Sequence, residues 1–446
     1  MRKIYFLGFF IICGLLYGYK NGNKVSFLAS NYGKPSPILP QGMVLIPQGK
    51  ALIGMTDEDL TFYQGNPSVM TSFSAFYMDQ TETTNAQYRK FVNWVRDSIA
   101  ISSMGQSGAP ALYNTAASTG GVNPSTGKQN IDWRKIDKNS AVLWGKNSQY
   151  KSKLQNMYYA GKDALPGKNE IDVRRLKYSY SYLSLDLAAA GANDPTKKRQ
   201  DFIVSYTDNP SPGSSNEFPS VSVYPDTTVW KKDFPYSQND PMVKTYFNHR
   251  SYDDYPVVGV NWEQANAFCN WRTLEDSRKD ADRKSRPQSK SEYRLPTDQE
   301  FEYAARGGRT QTKYPWVGSY ITGPCKTNVE GCLLANFKVG RGNYADDNGM
   351  YTVKVKSYLP NDYGLFDMAG NVAEWTSTAY NRSSTSLLLD FNPDYISISK
   401  GNKVVRGGSW KDIGFFLQNS VSTYEQQDKP RSYIGFRCVS TLVGSN

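Results

Sequence analysis

Tyr88, Phe91, Val92 and Val95 fall at i, i+3, i+4 and i+7, the spacing that lines side chains along one face of a helix. Immediately before them, Thr84 and Gln87 have capping-box spacing, in which each side chain satisfies a backbone N–H that a helix start leaves unpaired. The pattern therefore predicts a helix beginning at Asn85. Two further helices are specified in the same way. Asn261 caps one that buries Ala265, Phe268 and Cys269, and Thr297 with Glu300 opens another with Phe301, Ala304 and Ala305 inward. Gly307-Gly308 ends the latter, since glycine takes the positive φ of a helix terminus at little cost. Short apolar runs at Met43 to Pro47 and Phe73 to Met78, and one around Cys438, predict strands.

Between these segments the composition shifts. Gly, Ser, Asn and Gln dominate from Gly105 to Lys128. A helical piece with Trp133, Trp144 and Leu154 follows, then a Tyr-rich run at Tyr178, Tyr180 and Tyr182, and a Pro/Ser loop from Asn209 to Pro219. Residues 101–240 thus read as an insertion splitting a core domain into 43–100 and 241–446. Frequent Gly (36), Pro (23) and Tyr (32) favour a loop-rich α+β protein over a helical bundle.

The first 12 residues have a basic start, Arg2-Lys3, and an apolar run too short to span a bilayer as a helix, which takes roughly 20 residues. They predict an export signal, with Cys13 as the lipidated residue and residues 13–42 as a tether. A plain secretory signal cut near Gly18 and an uncleaved anchor are the alternatives. Lipidation at Cys13 explains an odd total of five cysteines in an oxidising compartment. Cys325 and Cys332 are spaced for a local disulfide. Cys269 and Cys438 each end an apolar segment, and a bond between them would close the core; free buried thiols are the other reading. Net charge is +11, but the basic residues from Arg272 to Arg294 alternate with acids, as in a solvated loop. No nucleic-acid motif accompanies them.

The single histidine, His249, sits between Asn248 and Arg250 and reads as a polar loop residue. Its solitude excludes most catalytic triads, zinc sites and non-haem iron sites. Oxygen ligands, by contrast, are concentrated. Asp367 and Glu374 flank a glycine turn through Gly370, and Asn336 with Asp346-Asp347-Asn348-Gly349 offers a second group. Both spacings suit a hard cation, and both also occur in ordinary turns.

The motifs Met43-Val44-Leu45-Ile46-Pro47-x-Gly49, Phe76-Tyr77-Met78-Asp79-x-x-Glu82-x-Thr84-Asn85, Tyr293-Arg294-Leu295-Pro296-Thr297-x-x-Glu300, Gly364-Leu365-x-x-Met368-x-Gly370-Asn371-Val372-x-Glu374-Trp375, Arg406-Gly407-Gly408-Ser409-Trp410 and Gly435-Phe436-Arg437-Cys438 occur in order. Together they resemble the formylglycine-generating, or sulfatase-modifying-factor, family. The resemblance implies a C-type-lectin-like α+β fold with little regular secondary structure, and it matches Cys269 and Cys438 to a family disulfide. It also implies two structural calcium sites: one from Asp367, Glu374 and the carbonyls of Gly370 and Val372, the other from Asn336, Phe337, Asp347 and Gly349. Enzymes of this family hold copper with two cysteines after the Gly-Gly-Ser motif; here those places carry Asp412 and Leu417. A carboxylate and an alkyl group cannot replace thiolates around Cu(I), so a pseudoenzyme without copper or catalytic residues is expected.

A narrower likeness runs through Ile171-Asp172-x-Arg174-Arg175-Leu176-x-Tyr178-x-Tyr180, Val223-Tyr224-Pro225-Asp226-Thr227-Thr228-x-Trp230 and Tyr252-Asp253-Asp254-Tyr255-Pro256-Val257-Val258-Gly259-Val260. These segments resemble the GldK/PorK lipoproteins of type IX secretion and gliding motility. The likeness implies a lipid-anchored subunit at the periplasmic face of the outer membrane, self-associating into a ring with a GldN/PorN-like partner and binding no nucleic acid. Trp133, Trp144 and Trp230 are candidate contacts for that ring, with burial in the core as the more usual role for each. An exported oxidase with displaced copper ligands and a calcium-dependent glycan-binding module are the competing functions.

Overall fold

The computed structural model describes residues 39–54, 68–114, 130–139, 141–191, 193–194, 196–282, 292–324, 331–340, 344–347, 349–381 and 401–441. The export segment with Cys13, most of the tether, and Cys325 lie outside the described residues. Within the rest, the first and last described strands belong to one sheet. Met43–Ile46 pairs with Phe76–Asp79, which pairs with Val439–Thr441, which pairs with Tyr293–Arg294, all antiparallel. A second sheet runs Ser422–Gln426, Asn402–Arg406, Ala373–Ala379 and Ile434–Gly435, the last pair parallel. The mixture of helices and strands agrees with the α+β expectation.

All three predicted helix starts are present. Thr84 and Gln87 make the reciprocal capping box of Asn85–Gly108, a helix interrupted at Gly105 (φ 65°), and Tyr88, Phe91, Val92 and Val95 are buried. Asn261 and Gln264 exchange the same pair of bonds, at 2.9 and 2.8 Å, ahead of Trp262–Asp282. Thr297 and Glu300 do so for Asp298–Ala305. One expectation fails: the charge-mixed stretch after Arg272 is helical as far as Asp282, not loop. Its charges fall at helical spacing, so Glu275 pairs with Arg278 (2.7 Å) and Lys279 (3.0 Å) along one face.

The described residues between 101 and 240 share the main core rather than forming one of their own. Leu112, Leu154, Met157, Leu176 and Tyr178 bury with Tyr88, Phe91, Phe268 and Phe436 in one cluster, and the Tyr178 ring meets Phe91 edge-on at 5.4 Å. Trp230 is also core, 1% exposed against Tyr246 and Trp410, which removes it from the candidate contact surface. Trp133 and Trp144 are half-buried; Trp133 stacks on Trp94, and Trp144 donates to Asp97. No described helix is long and apolar enough to cross a membrane.

Cys269 and Cys438 lie side by side in the core with their sulfurs 3.2 Å apart. They are thiols in contact rather than the expected bond, since a disulfide requires ~2.05 Å. Burial, then the neighbouring Cys438, pushes the Cys269 thiol well up. Cys332 takes part in a disulfide; Cys325 lies outside the described residues.

Candidate functional site

Arg406 ends a central strand and is 2% exposed. It pairs with Asp298 and Glu302 on the Asp298–Ala305 helix, while Arg306 takes the other oxygen of Glu302. This buried network fixes the point from which the next loop departs. Gly407 and Gly408 both have positive φ, 86° and 67°, and a Cβ on Gly408 would stand 2.8 Å from the Phe416 carbonyl oxygen. Only glycine lets the loop close so tightly on itself.

At the tip, Asp412 Oδ2 accepts from Ser409 Oγ at 2.6 Å and from Ser409 N at 3.1 Å, and Asp412 N donates to Ser409 O at 2.9 Å. Its other oxygen pairs with Lys411 Nζ at 2.5 Å. Leu417, 1% exposed, sits among Tyr314, Ala335, Phe337 and Ala369. The carboxylate thus closes its own turn and the leucine fills core. Neither fits copper, and the two described thiols, Cys269 and Cys438, belong to a different part of the core.

Behind this loop lies the turn from Asp367 to Glu374. Gly370 N donates to Gly407 O, and Trp410 N to Asn371 O, both at 2.9 Å. Gly370 (φ 80°) packs so closely that a Cβ would meet the Asn336 carbonyl oxygen at 2.5 Å. Asn371 joins the pieces: its N donates to Asn336 O, its Oδ1 accepts from Val353 N and Asn336 Nδ2, and its Nδ2 donates to Glu82 Oε1 at 2.9 Å.

The group at Asn336, Phe337, Asp347 and Gly349 fits a hard cation. Asn336 is fully buried and its Oδ1 has no protein partner. A Cβ on Gly349 would lie 3.0 Å from that oxygen, and Asp347 accepts from Phe337 N (2.5 Å) and Gly349 N (2.9 Å), drawing the four residues together. Burial raises the Asp347 carboxyl above its ordinary value. An orphaned amide oxygen beside a buried carboxylate is the environment a calcium ion would complete.

The group at Asp367, Gly370, Val372 and Glu374 is engaged in bonds with its own protein neighbours. Asp367 Oδ2 accepts from Lys356 N at 2.7 Å. Both Glu374 oxygens are taken by Arg437, each at 2.7 Å, and Arg437 also donates to the carbonyls of Phe366, Asp367, Asp79 and Gln80. Glu374 is therefore the partner of a buried ion pair. Sequence reading missed Arg437 as its partner and Glu82 as a neighbour, although both stand in the quoted motifs. Burial, then Asp367 and Glu374, pushes the Glu82 carboxyl well up, with Arg437 opposing. Among the described residues, no three histidine, cysteine or acidic side chains form a metal cluster by themselves. His249 is exposed and accepts from Ser251 N, as a loop residue should.

A family model for the sulfatase-modifying factor enzyme 1-like domain matches residues 32–442. The chain belongs to this family. It is 31% identical over 193 residues to the inactive C-alpha-formylglycine-generating enzyme 2 of Bos taurus, covering 42% of this chain and 50% of that one. It is 26% identical over 418 residues to the formylglycine-generating enzyme of Bos taurus, covering 92% and 76%. The chain spans about half the length of the first curated relatives it matches. The solved structure of PvdO from Pseudomonas aeruginosa aligns over 90% of this chain and 94% of its own, with 16% identity and a TM-score of 0.43. The family thus holds active and inactive members.

Proposed function

We propose that this protein is a non-catalytic lipoprotein subunit of the periplasmic ring of the type IX secretion and gliding machinery, using the sulfatase-modifying scaffold as structure. The supporting observation is the absorption of both copper positions into the fold: Asp412 closes a turn on Ser409, and Leu417 is core. An inactive relative in the same family is in keeping with a scaffold that outlasts its chemistry. The reading retains the C-type-lectin-like frame and residues 101–240 as the added part, with Trp133 and Trp144 still available for contacts.

Calcium is the structural cofactor in this reading, held first at Asn336, Phe337, Asp347 and Gly349. Anchoring through Cys13 would place the protein on the periplasmic face of the outer membrane. Affinity purification of the full chain from its cell, with cross-link mapping, tests the assignment. Recovery in a large assembly with a GldN/PorN-like partner is expected. A partner-free monomer that binds Cu(I) and oxidises a cysteine peptide would favour the oxidase reading, and glycan binding lost on chelation would favour the lectin reading.

A further inference from the structure

Lys177–Tyr178 pairs with Val221–Ser222, and Tyr180–Leu183 pairs with Ile203–Thr207, both antiparallel. Residues 177–183 thus run as one extended edge that changes partner at Ser179. Ile203–Thr207 bonds on its other side to Glu217–Pro219, which leaves Tyr180–Leu183 at the rim of its sheet.

The register decides which main-chain groups face out. Val223 N donates to Leu176 O, and Ser184 N to Phe202 O, both at 2.9 Å. Bonded residues in an antiparallel ladder alternate, so Tyr178, Tyr180 and Tyr182 turn their N–H and C=O groups toward the neighbouring strands. Lys177, Ser179, Ser181 and Leu183 turn theirs outward, and among the described residues nothing meets them. The first three are exposed. Tyrosine packing holds this rim extended: Tyr180 stacks on Tyr178 at 5.4 Å and on Tyr206 at 4.8 Å. Tyr182 continues the row and is 38% exposed, so it offers an aromatic surface beside the open edge. A row of unpaired main-chain groups flanked by apolar side chains is a template for another strand.

Charge selects what that strand carries. Lys177 stands at one end of the rim. At the other, Arg199–Phe202 leads into Ile203, which lies opposite Leu183, and Lys198 and Arg199 are exposed. Nearby acids are engaged elsewhere: Asp172 with Arg174, Asp194 with Thr196, and Asp201 with Lys198 N. Lys177, Lys198 and Arg199 make no ion pair among the described residues. A second copy added antiparallel to the same rim would set Lys177 beside the Lys198 and Arg199 end of its twin, and like charges disfavour that pairing.

We propose that residues 177–183 receive an added strand from a partner protein: an extended segment with apolar or aromatic residues at alternate positions and acidic residues at its ends. Main-chain bonds to Lys177, Ser179, Ser181 and Leu183 hold it, the tyrosine row takes its apolar side chains, and the flanking cations take its carboxylates. The surface is a property of this sheet and does not depend on assignment to a ring.

Fluorescence anisotropy tests this, with the full chain titrated into a labelled, end-blocked peptide of sequence Asp-Val-Thr-Tyr-Thr-Val-Asp. Saturable binding that weakens as salt rises is expected. Ser181→Pro deletes an outward N–H and leaves the bonds to Ile203–Thr207 in place, so affinity should fall about tenfold or more. Lys198→Glu combined with Arg199→Glu should lower it by about as much at low salt. Circular dichroism verifies folding of each variant. The same peptide N-methylated throughout keeps its side chains and charge but loses its donors, and should not bind; this arm involves no substituted protein. Equal binding of the two peptides, unchanged affinity in folded Ser181→Pro, or no saturable binding up to about 1 mM overturns the proposal. A concentration-dependent dimer in sedimentation that Ser181→Pro abolishes would overturn it too, giving the edge to a second copy.

Discussion

Glu374 and Arg437 face one another in the core, with both carboxylate oxygens 2.7 Å from guanidinium nitrogens and exposures of 1% and 0% at the two side chains. Each charge is there only because the other is. Removing the acid by Glu374→Ala should therefore destabilise the fold by about 3–5 kcal/mol through an uncompensated buried arginine. Urea unfolding at neutral pH measures it, and a change under about 1 kcal/mol would contradict the pairing.

The loop from Gly407 to Leu417 has two separable supports. Asp412→Ala removes the acceptor for Ser409 Oγ and N in a partly buried position, so a loss of about 0.5–1.5 kcal/mol is expected. Loss of several kcal/mol would show that the aspartate does more than close its turn.

Leu417→Ala should be costlier, about 2–5 kcal/mol, because it empties a site enclosed by Tyr314, Ala335, Phe337 and Ala369. The same denaturation experiment checks it. If Leu417→Ala proved milder than Asp412→Ala, the account of a core-filling leucine would be wrong.

Burial by itself would raise the Glu300 carboxyl, but Arg294, at 2.7 Å, and the Thr297 backbone N–H bring it below its ordinary value. A depressed carboxyl contributes stability that is full above its unfolded pKa of about 4.3 and fades as pH falls through its folded value. Glu300→Gln should thus cost about 1–2 kcal/mol at pH 7, since Arg294 is partly solvent-screened, and progressively less below pH of about 4. Thermal unfolding of both proteins across pH 3–7, at matched ionic strength, gives the comparison.

Calcium removal should lower the unfolding temperature of the intact chain, since an ion bound only by the folded state stabilises it by mass action. Asp347→Asn should diminish that response, because its carboxylate is the charged member of the Asn336 group. Equal melting of both proteins with and without chelator would refute calcium at this group.

The sequence by itself determined three helix starts and the family. Thr84 with Gln87, Asn261 with Gln264 and Thr297 with Glu300 are pairs three residues apart, and such caps act over a single turn, so their chemistry is readable along the chain. Likewise, the loss of two thiols is a matter of residue type. Tertiary structure decided what the remaining groups do. Glu374 meets Arg437 across 63 positions, and Glu82 meets Asn371 across 289. Whether Trp230 lies in core or at a contact surface was undecided for the same reason, since burial depends on what packs alongside; the helix after Arg272, by contrast, was written in the i, i+3 and i, i+4 spacing of Glu275, Arg278 and Lys279 and was misread as loop.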